Sequence, residues 1–423
     1  METAGAREAS RSWPFAFCGV CQTPVVFQTG HAMKCWAAGL ATLLVACTTA
    51  PAVVPVATSA VEVAAACKRE AVGSVLADRL AAFQATNPAP GFSAAAIVPG
   101  LGAEPVERAI GLADPDTVRA LQPADRMLAG SVGKTFYAAA ALKLTEQGRL
   151  SLDAPIARYL PGRIPNDEAV TVRMLLSHRS GYPPYDGDFM QALIAEPLRV
   201  RTFDDWAGPV RRADALGVPG AAFGYSDINY VLLAQVITGA AGEPAEAVID
   251  RAFLQPLRLA RTVAAGQPRI DGLVPGYEGA RPLFGADRVL DNGALRFNPQ
   301  FESGGGGYAS TAGDMARWVH ALQAGRALSP ASWTLMSTPT GGKSASQQYG
   351  LGIHVDQTRA GLAYGHSGYI PGYLSFVRHY ADSGITLALQ TNASDEARLP
   401  DDPFHLVDAI AGTLAVACAA PAG

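Results

Sequence analysis

Ser131 and Lys134 are separated by two residues and run straight into the apolar stretch Thr135-Phe136-Tyr137-Ala138-Ala139-Ala140-Ala141-Leu142. If that stretch is a helix, Ser131 sits at its N-terminus and Lys134 lies one turn on, on the same face. A serine so placed is a candidate nucleophile. A neighbouring lysine can take its proton only if a partly dry cleft lowers the ammonium pKa. The helix dipole favours the negative charge that develops. Alone, the pair is equally a surface serine beside a solvated lysine. Other chemistries fail on spacing. A phosphate loop needs glycine five residues before Gly133, where Leu128 stands. A nucleophile elbow needs glycine two residues either side of its serine, but Ala129 precedes Ser131 and Tyr369 follows Ser367. The seven histidines form no HExxH, and Cys18-Gly19-Val20-Cys21 has no second pair at zinc spacing. No metal and no cofactor is expected.

The elements that would position this pair follow from periodicity. Cys67–Thr86 reads as an amphipathic helix, with Val72, Val75, Leu76, Leu80 and Phe83 spaced by three and four. Phe92–Val98 and Val106–Gly111 read as strands around Pro99-Gly100-Leu101-Gly102. A helix over Thr135–Gln147 carries Phe136, Ala140 and Leu144 on one stripe and ends at Gly148. The section from about 130 to 261 is mostly helical with Pro/Gly-rich loops. Thr311–Gln323 is expected to be a helix, Thr311 and Asp314 forming a capping pair. Strands are expected near Tyr349–Val355, Gly372–His379 and Ile385–Thr391, and a last helix over Pro403–Ala417. The fold class is therefore α/β in the α+β sense: an antiparallel sheet built from both chain ends and flanked by the terminal helices, with a helical lobe between. A cleft between the lobes is a usual ligand site.

Five segments in order sharpen the nucleophile reading. Met127–Phe136 resembles the nucleophile segment of the serine β-lactamase/penicillin-binding protein superfamily, in its class C branch. Val170–Pro183 is similar to the pattern TxxxLLxHxSGLP, and Pro219–Leu233 to PGxxFxYSNxxYxLL. Gly305–Asp314 is similar to GGLxSTxxDM, and Tyr364–Tyr369 to the third active-site motif. The similarity runs from about 70 to 415. It implies a β-lactamase/transpeptidase-like fold. Ser131 would form an acyl-enzyme and Lys134 would hold the proton network. Tyr225 would be the general base, its phenol pKa lowered by Lys134. Backbone N–H groups of Ser131 and Tyr369 would make the oxyanion hole. His366 would bind a substrate carboxylate or feed the proton network, with Ser367 and Gly368 lining the substrate.

Two positions depart from the family pattern. Tyr-x-Asn is common in the second motif, but Asp227 stands third here. An ionised Asp only accepts hydrogen bonds, so it favours a charged Lys134, shifts the base role to Tyr225 and suits a substrate ammonium. Asn229 lies too far round a helix to replace it. The third motif is His366-Ser367-Gly368 where class C β-lactamases carry Lys-Thr-Gly, and neutral histidine grips a carboxylate less strongly. Peptidase or esterase activity thus ranks above β-lactamase activity. The expected function is hydrolysis of small D-amino-acid peptides, amides or esters through an acyl-serine. The alternatives are an esterase or weak β-lactamase of the same fold, or a non-catalytic envelope binding protein. His178 and Ser180 read as packing residues, Gly304–Gly307 as a tight loop beside the cleft, and Trp318 and Phe376 as core.

The chain has 423 residues, 49% hydrophobic and 17% charged, with net charge −4. That is enough for a large core and poor in the basic excess a nucleic-acid surface needs, so no nucleic acid is expected. At Met33 a short basic start leads into an apolar core ending Leu44-Val45-Ala46-Cys47, which resembles a bacterial lipobox. Residues 1–32 then read as an extension upstream of the true start, 33–47 as a lipoprotein signal and 48–66 as a tether. The hydrolase domain occupies 67–420. The protein is expected to be exported to the bacterial envelope (periplasm) and anchored by a lipid on Cys47. Its other partner is a small molecule or peptide substrate, and no protein partner is expected. The runner-up is an ordinary cleaved signal. Of the six cysteines only Cys67 and Cys418 lie outside the leader and lipobox. Export makes a disulfide between them the expectation, and two buried free thiols the alternative.

Overall fold

The computed structural model describes residues 67–418. The leader, the tether and the lipidation candidate Cys47 lie outside the described residues. Chain order begins with α1 (Arg69–Thr86), β1 (Gly91–Ile97), β2 (Val106–Asp114), β3 (Arg119–Ala120) and β4 (Met127–Leu128). The middle carries α2 (Lys134–Glu146), α3 (Val172–Leu176), α4 (Gly187–Ala195), α5 (Phe203–Arg212), α6 (Asp227–Ala241) and α7 (Ala245–Ile249). Four short strands follow: β5 (Val263–Ala264), β6 (Leu290–Asp291), β7 (Ala294–Leu295) and β8 (Tyr308–Ser310). Then come α8 (Ala312–Gln323), α9 (Pro330–Ser337), β9 (Gly341–Ser344), β10 (Gln347–Tyr349) and β11 (His354–Thr358). The chain closes with β12 (Gly361–Ile370), β13 (Tyr373–Tyr380), β14 (Thr386–Thr391) and α10 (Pro403–Ala417).

Both chain ends build one antiparallel nine-stranded sheet, ordered β3-β2-β1-β14-β13-β12-β11-β10-β9. Its middle strand is β13, and next to it the two chain ends meet in the β1–β14 pair, with Phe92 opposite Thr391 and Ile97 opposite Thr386. Every residue of β1 is buried. Side chains alternate between faces at period two. Phe92, Ala94 and Ala96 therefore pack with Leu76, Leu80, Ile410 and Leu414 of the terminal helices, while Ala95 and Ile97 pack with Val319 and Leu322 of α8. The alanines let helices come close on both sides. Cys67 and Cys418 are joined, S–S 2.00 Å, where α1 starts and α10 ends.

α2 is not amphipathic. Lys134 to Leu142 and Leu144 are all buried, so it runs through the core of the middle section rather than over it. Trp318 is fully buried, stacks on Phe136 at 4.3 Å and donates to Thr135 Oγ1 at 2.7 Å. Phe376 is also core. Two expectations need correcting. The single strand near Tyr349–Val355 is a hairpin, turned by Gly352 at φ +79°, where a Cβ would lie 2.3 Å from Ala138. Thr311 does cap α8, accepting from Asp314 N at 3.2 Å. The Asp314 carboxylate does not fold back. It accepts from Arg261 N at 2.8 Å and Thr262 Oγ1 at 3.1 Å, tying β5 to the helix start.

Candidate active site

Ser131 sits in a 3-10 turn, Gly130–Gly133, that runs directly into α2. The turn is wedged between two other backbones. A Cβ at Gly130 would meet Tyr369 N at 2.7 Å, and one at Gly368 would meet Ala129 O at 1.9 Å and Ser131 N at 3.0 Å. On the other side, a Cβ at Gly133 would lie 2.9 Å from the Gly306 carbonyl carbon. The glycines are what allow this three-layer approach. The glycine run thus does form a close-packed loop beside Ser131, and β12 lies against its other flank.

Lys134 is fully buried, and its ammonium has three donors. One goes to Ser131 Oγ at 2.8 Å, one to Asp227 Oδ1 at 2.5 Å, and one to the Gly305 carbonyl. Burial alone would depress its pKa. The charges of Asp227, Tyr225 and Glu302 outweigh that and push it up. The lysine is therefore a fixed cation, which corrects the idea that burial frees it as a base. Asp227 is the first residue of α6, and Asn229, fully buried, turns the other way.

The Tyr225 ring lies 5.2 Å from Lys134 Nζ. Its pKa is not lowered as expected. Burial pushes it up to about 12, helped by Asp227, against the pull of Lys134 and of hydrogen bonding with Ser131 and Lys134. The resting residue is a phenol. His178 stacks on it with ring centres 4.1 Å apart, and Tyr349 packs edge-on at 6.0 Å. His178 Nδ1 faces Ser226 N at 3.3 Å and Asn229 Nδ2 at 3.1 Å, and Ser180 Oγ donates to Asn229 Oδ1 at 2.5 Å. His178 and Ser180 thus brace the segment that carries Tyr225.

His366 does not present itself to a substrate carboxylate. It is buried, with Nε2 on the Tyr349 hydroxyl at 3.0 Å and Nδ1 on the Ser367 carbonyl at 2.6 Å. Burial, then the charges of His354 and Lys134, hold its pKa well below the usual histidine range. The alternation of β12 decides this: His366 and Gly368 are buried, Ser367 half-buried and Tyr369 exposed. The Ser367 side chain makes no hydrogen bond among the described residues, so that hydroxyl is open to a ligand.

Glu302 was not read from the sequence. It is half-buried, and a Cβ at Gly305 would lie 2.0 Å from its Oε2. Burial and the Asp227 charge push its pKa well up, against Lys134 and a hydrogen bond with Tyr185. The only sequence signal was a carboxylate two residues ahead of four glycines. The site thus holds one serine hydroxyl, one fixed cation, one phenol and two carboxyl groups.

Residues 76–411 match the family model described as Beta-lactamase. The chain belongs to the beta-lactamase family. Among its relatives is esterase EstB of Burkholderia gladioli, 28% identical over 368 residues, covering 75% of this chain and 90% of that one. Penicillin-binding protein 4* of Bacillus subtilis is 27% identical over 277 residues, covering 63% and 60%. The D-stereospecific amidohydrolase of Streptomyces sp. superposes with TM-score 0.65 at 26% identity, covering 79% of this chain and 98% of that structure. This beta-lactamase-family chain therefore has the hydrolase fold, mixed α/β with a large antiparallel sheet. Among the described residues no helix is long and apolar enough to cross a membrane.

Proposed function

We propose that this protein is a serine hydrolase that cleaves small amides and esters, D-amino-acid derivatives among them, through an acyl-enzyme on Ser131. The observation that carries the reading is the Lys134 ammonium, 2.8 Å from Ser131 Oγ and held there by Asp227. In the reactive form Tyr225 is a phenolate. Ser131 Oγ attacks the acyl carbon, and its proton passes to the Tyr225 oxygen. Tyr225 then protonates the leaving nitrogen or oxygen as the acyl bond breaks. Water attacks the acyl-enzyme, gives a proton to Tyr225, and Ser131 leaves as the free hydroxyl once Tyr225 returns it. Lys134 stays charged and stabilises the developing alkoxide. The amides of Ser131 and Tyr369, side by side at the glycine contacts, would receive the oxyanion.

The third motif offers no cation, because His366 is buried and neutral. That favours substrates with an uncharged end over a peptide with a free carboxylate. Esters are the second reading, supported by the length shared with esterase EstB. The test is a panel of D-amino-acid amides, short p-nitrophenyl esters, D-Ala-D-Ala peptides and a cephalosporin, with mass spectrometry after a fluorophosphonate. Amide or ester turnover and a covalent adduct on Ser131 are expected. Turnover that survives Ser131→Ala refutes it.

We also propose that the protein is exported and lipid-anchored at Cys47. The lipobox-like sequence supports this, as does a Cys67–Cys418 pair suited to an oxidising compartment. Loss of membrane-fraction protein in Cys47→Ala is expected, and unchanged fractionation overturns the anchor.

A further inference from the structure

A cavity of about 520 Å³ opens between the segment that follows α7 and the start of α8, and none of its lining belongs to the site around Ser131. Arg258, Arg261, Arg317 and Arg326 line it, with Glu104 and Asp314. Both carboxylates are already matched by Arg317, at 2.8 Å and 3.0 Å. The guanidinium groups of Arg258, Arg261 and Arg326 make no hydrogen bond or ion pair among the described residues. In a chain of net charge −4, four arginines face two lining carboxylates on one concave wall, and Arg317 alone holds both carboxylates, so three exposed cations lack a direct ion pair there.

The backbone gives a second sign. Arg258 has φ +55°, a left-handed conformation that favours glycine. It ends a helical turn, its N–H donating to Gln255 O and Leu259 N–H to Leu254 O. A side chain held at that backbone conformation points to a use for it. The loop is also held rigid from below. Arg126 donates to the Ala260 and Arg261 carbonyls at 3.2 and 2.8 Å, and Asp314 fixes Arg261 N. Planar guanidinium forks match phosphate oxygens in pairs. The concavity has room for a second phosphate or an alcohol beside the first. We propose that this cavity binds a phosphate ester or diphosphate group, free or as the headgroup of a lipid.

The test uses the purified full chain. Inorganic pyrophosphate is titrated by calorimetry, and phosphatidylcholine vesicles with and without phosphatidylglycerol are co-sedimented. The comparison is the double variant Arg258→Gly, Arg326→Ala. One-to-one pyrophosphate binding, weakened at least about tenfold in the variant, supports a free ligand. Sedimentation that needs phosphatidylglycerol and falls as strongly in the variant supports the lipid headgroup. Glycine suits the Arg258 backbone, so the melting temperature should hold, and p-nitrophenyl ester hydrolysis should be unchanged. Binding by neither probe, or equal binding by the variant, overturns the proposal and leaves the hydrolase reading untouched.

Discussion

Asp227→Asn is the sharpest test of how protons move in this site. The Asp227 carboxylate lies 2.5 Å from Lys134 Nζ. Two unit charges at that distance attract by about 7 kcal/mol at an effective dielectric of about 20, or about five pKa units as an upper bound. Desolvation of the buried ammonium then acts with less opposition, so the Lys134 pKa falls. Asp227 also holds the Tyr225 phenol up, so its loss lowers that pKa too. Both pKa values move the same way. In the natural enzyme, kcat/KM should climb with pH and reach no plateau near neutrality, because the phenol sits at about 12. In Asp227→Asn the rising limb should move to lower pH by about one unit or more, a modest part of the Coulomb bound. The assay is kcat/KM for an uncharged p-nitrophenyl ester, followed from neutral to alkaline pH. The position of the limb is the readout, not its height. A limb that stays in place while the rate falls would mean Asp227 only holds geometry, and the electrostatic account would be wrong.

Gly368→Ala puts a methyl 1.9 Å from Ala129 O, which must push β12 away from Ser131. A loss of about 100-fold in acylation rate is expected with the fold retained, read from the burst of nitrophenol and from circular dichroism. His178→Ala empties the site behind Tyr225 and removes the ring nitrogen that faces Ser226 N and Asn229 Nδ2. A stability loss of about 2–4 kcal/mol in urea, with kcat falling more than KM rises, is expected. Three buried histidines and the half-buried His354 make the fold acid-sensitive. Burial first holds His354 at about 3 and His379 at about 4, and puts His178 and His366 well down. Unfolded histidine binds a proton near 6.5, so each favours the unfolded chain by about 1.4 kcal/mol per pH unit below that. Stability should be full above 6.5 and fall through the window down to about 3. Equal urea midpoints at pH 7 and pH 5 would refute this.

The linear sequence already carried Ser131, Lys134 and Tyr225, because a helical repeat and ordered local patterns fix which residues share a turn. It also carried the edges of α1, α8 and α10 to within two residues, since capping and apolar period act over one or two turns. The glycines at 130, 133, 305, 306 and 368 were visible, but not that they stack three backbones together. The hairpin at Gly352 was missed because its turn answers to Ala138 on a distant helix. Glu302 was missed because a lone carboxylate says nothing until folding sets it beside Gly305 and near Lys134. The signs of the pKa shifts belong to the tertiary structure alone. Desolvation and Coulomb forces depend on distances between residues far apart in the chain. Burial raised the Tyr225 phenol that Lys134 was expected to lower, Asp227 kept Lys134 charged, and strand alternation turned His366 inward. The sequence names the groups that can react, and packing decides which of them holds a proton.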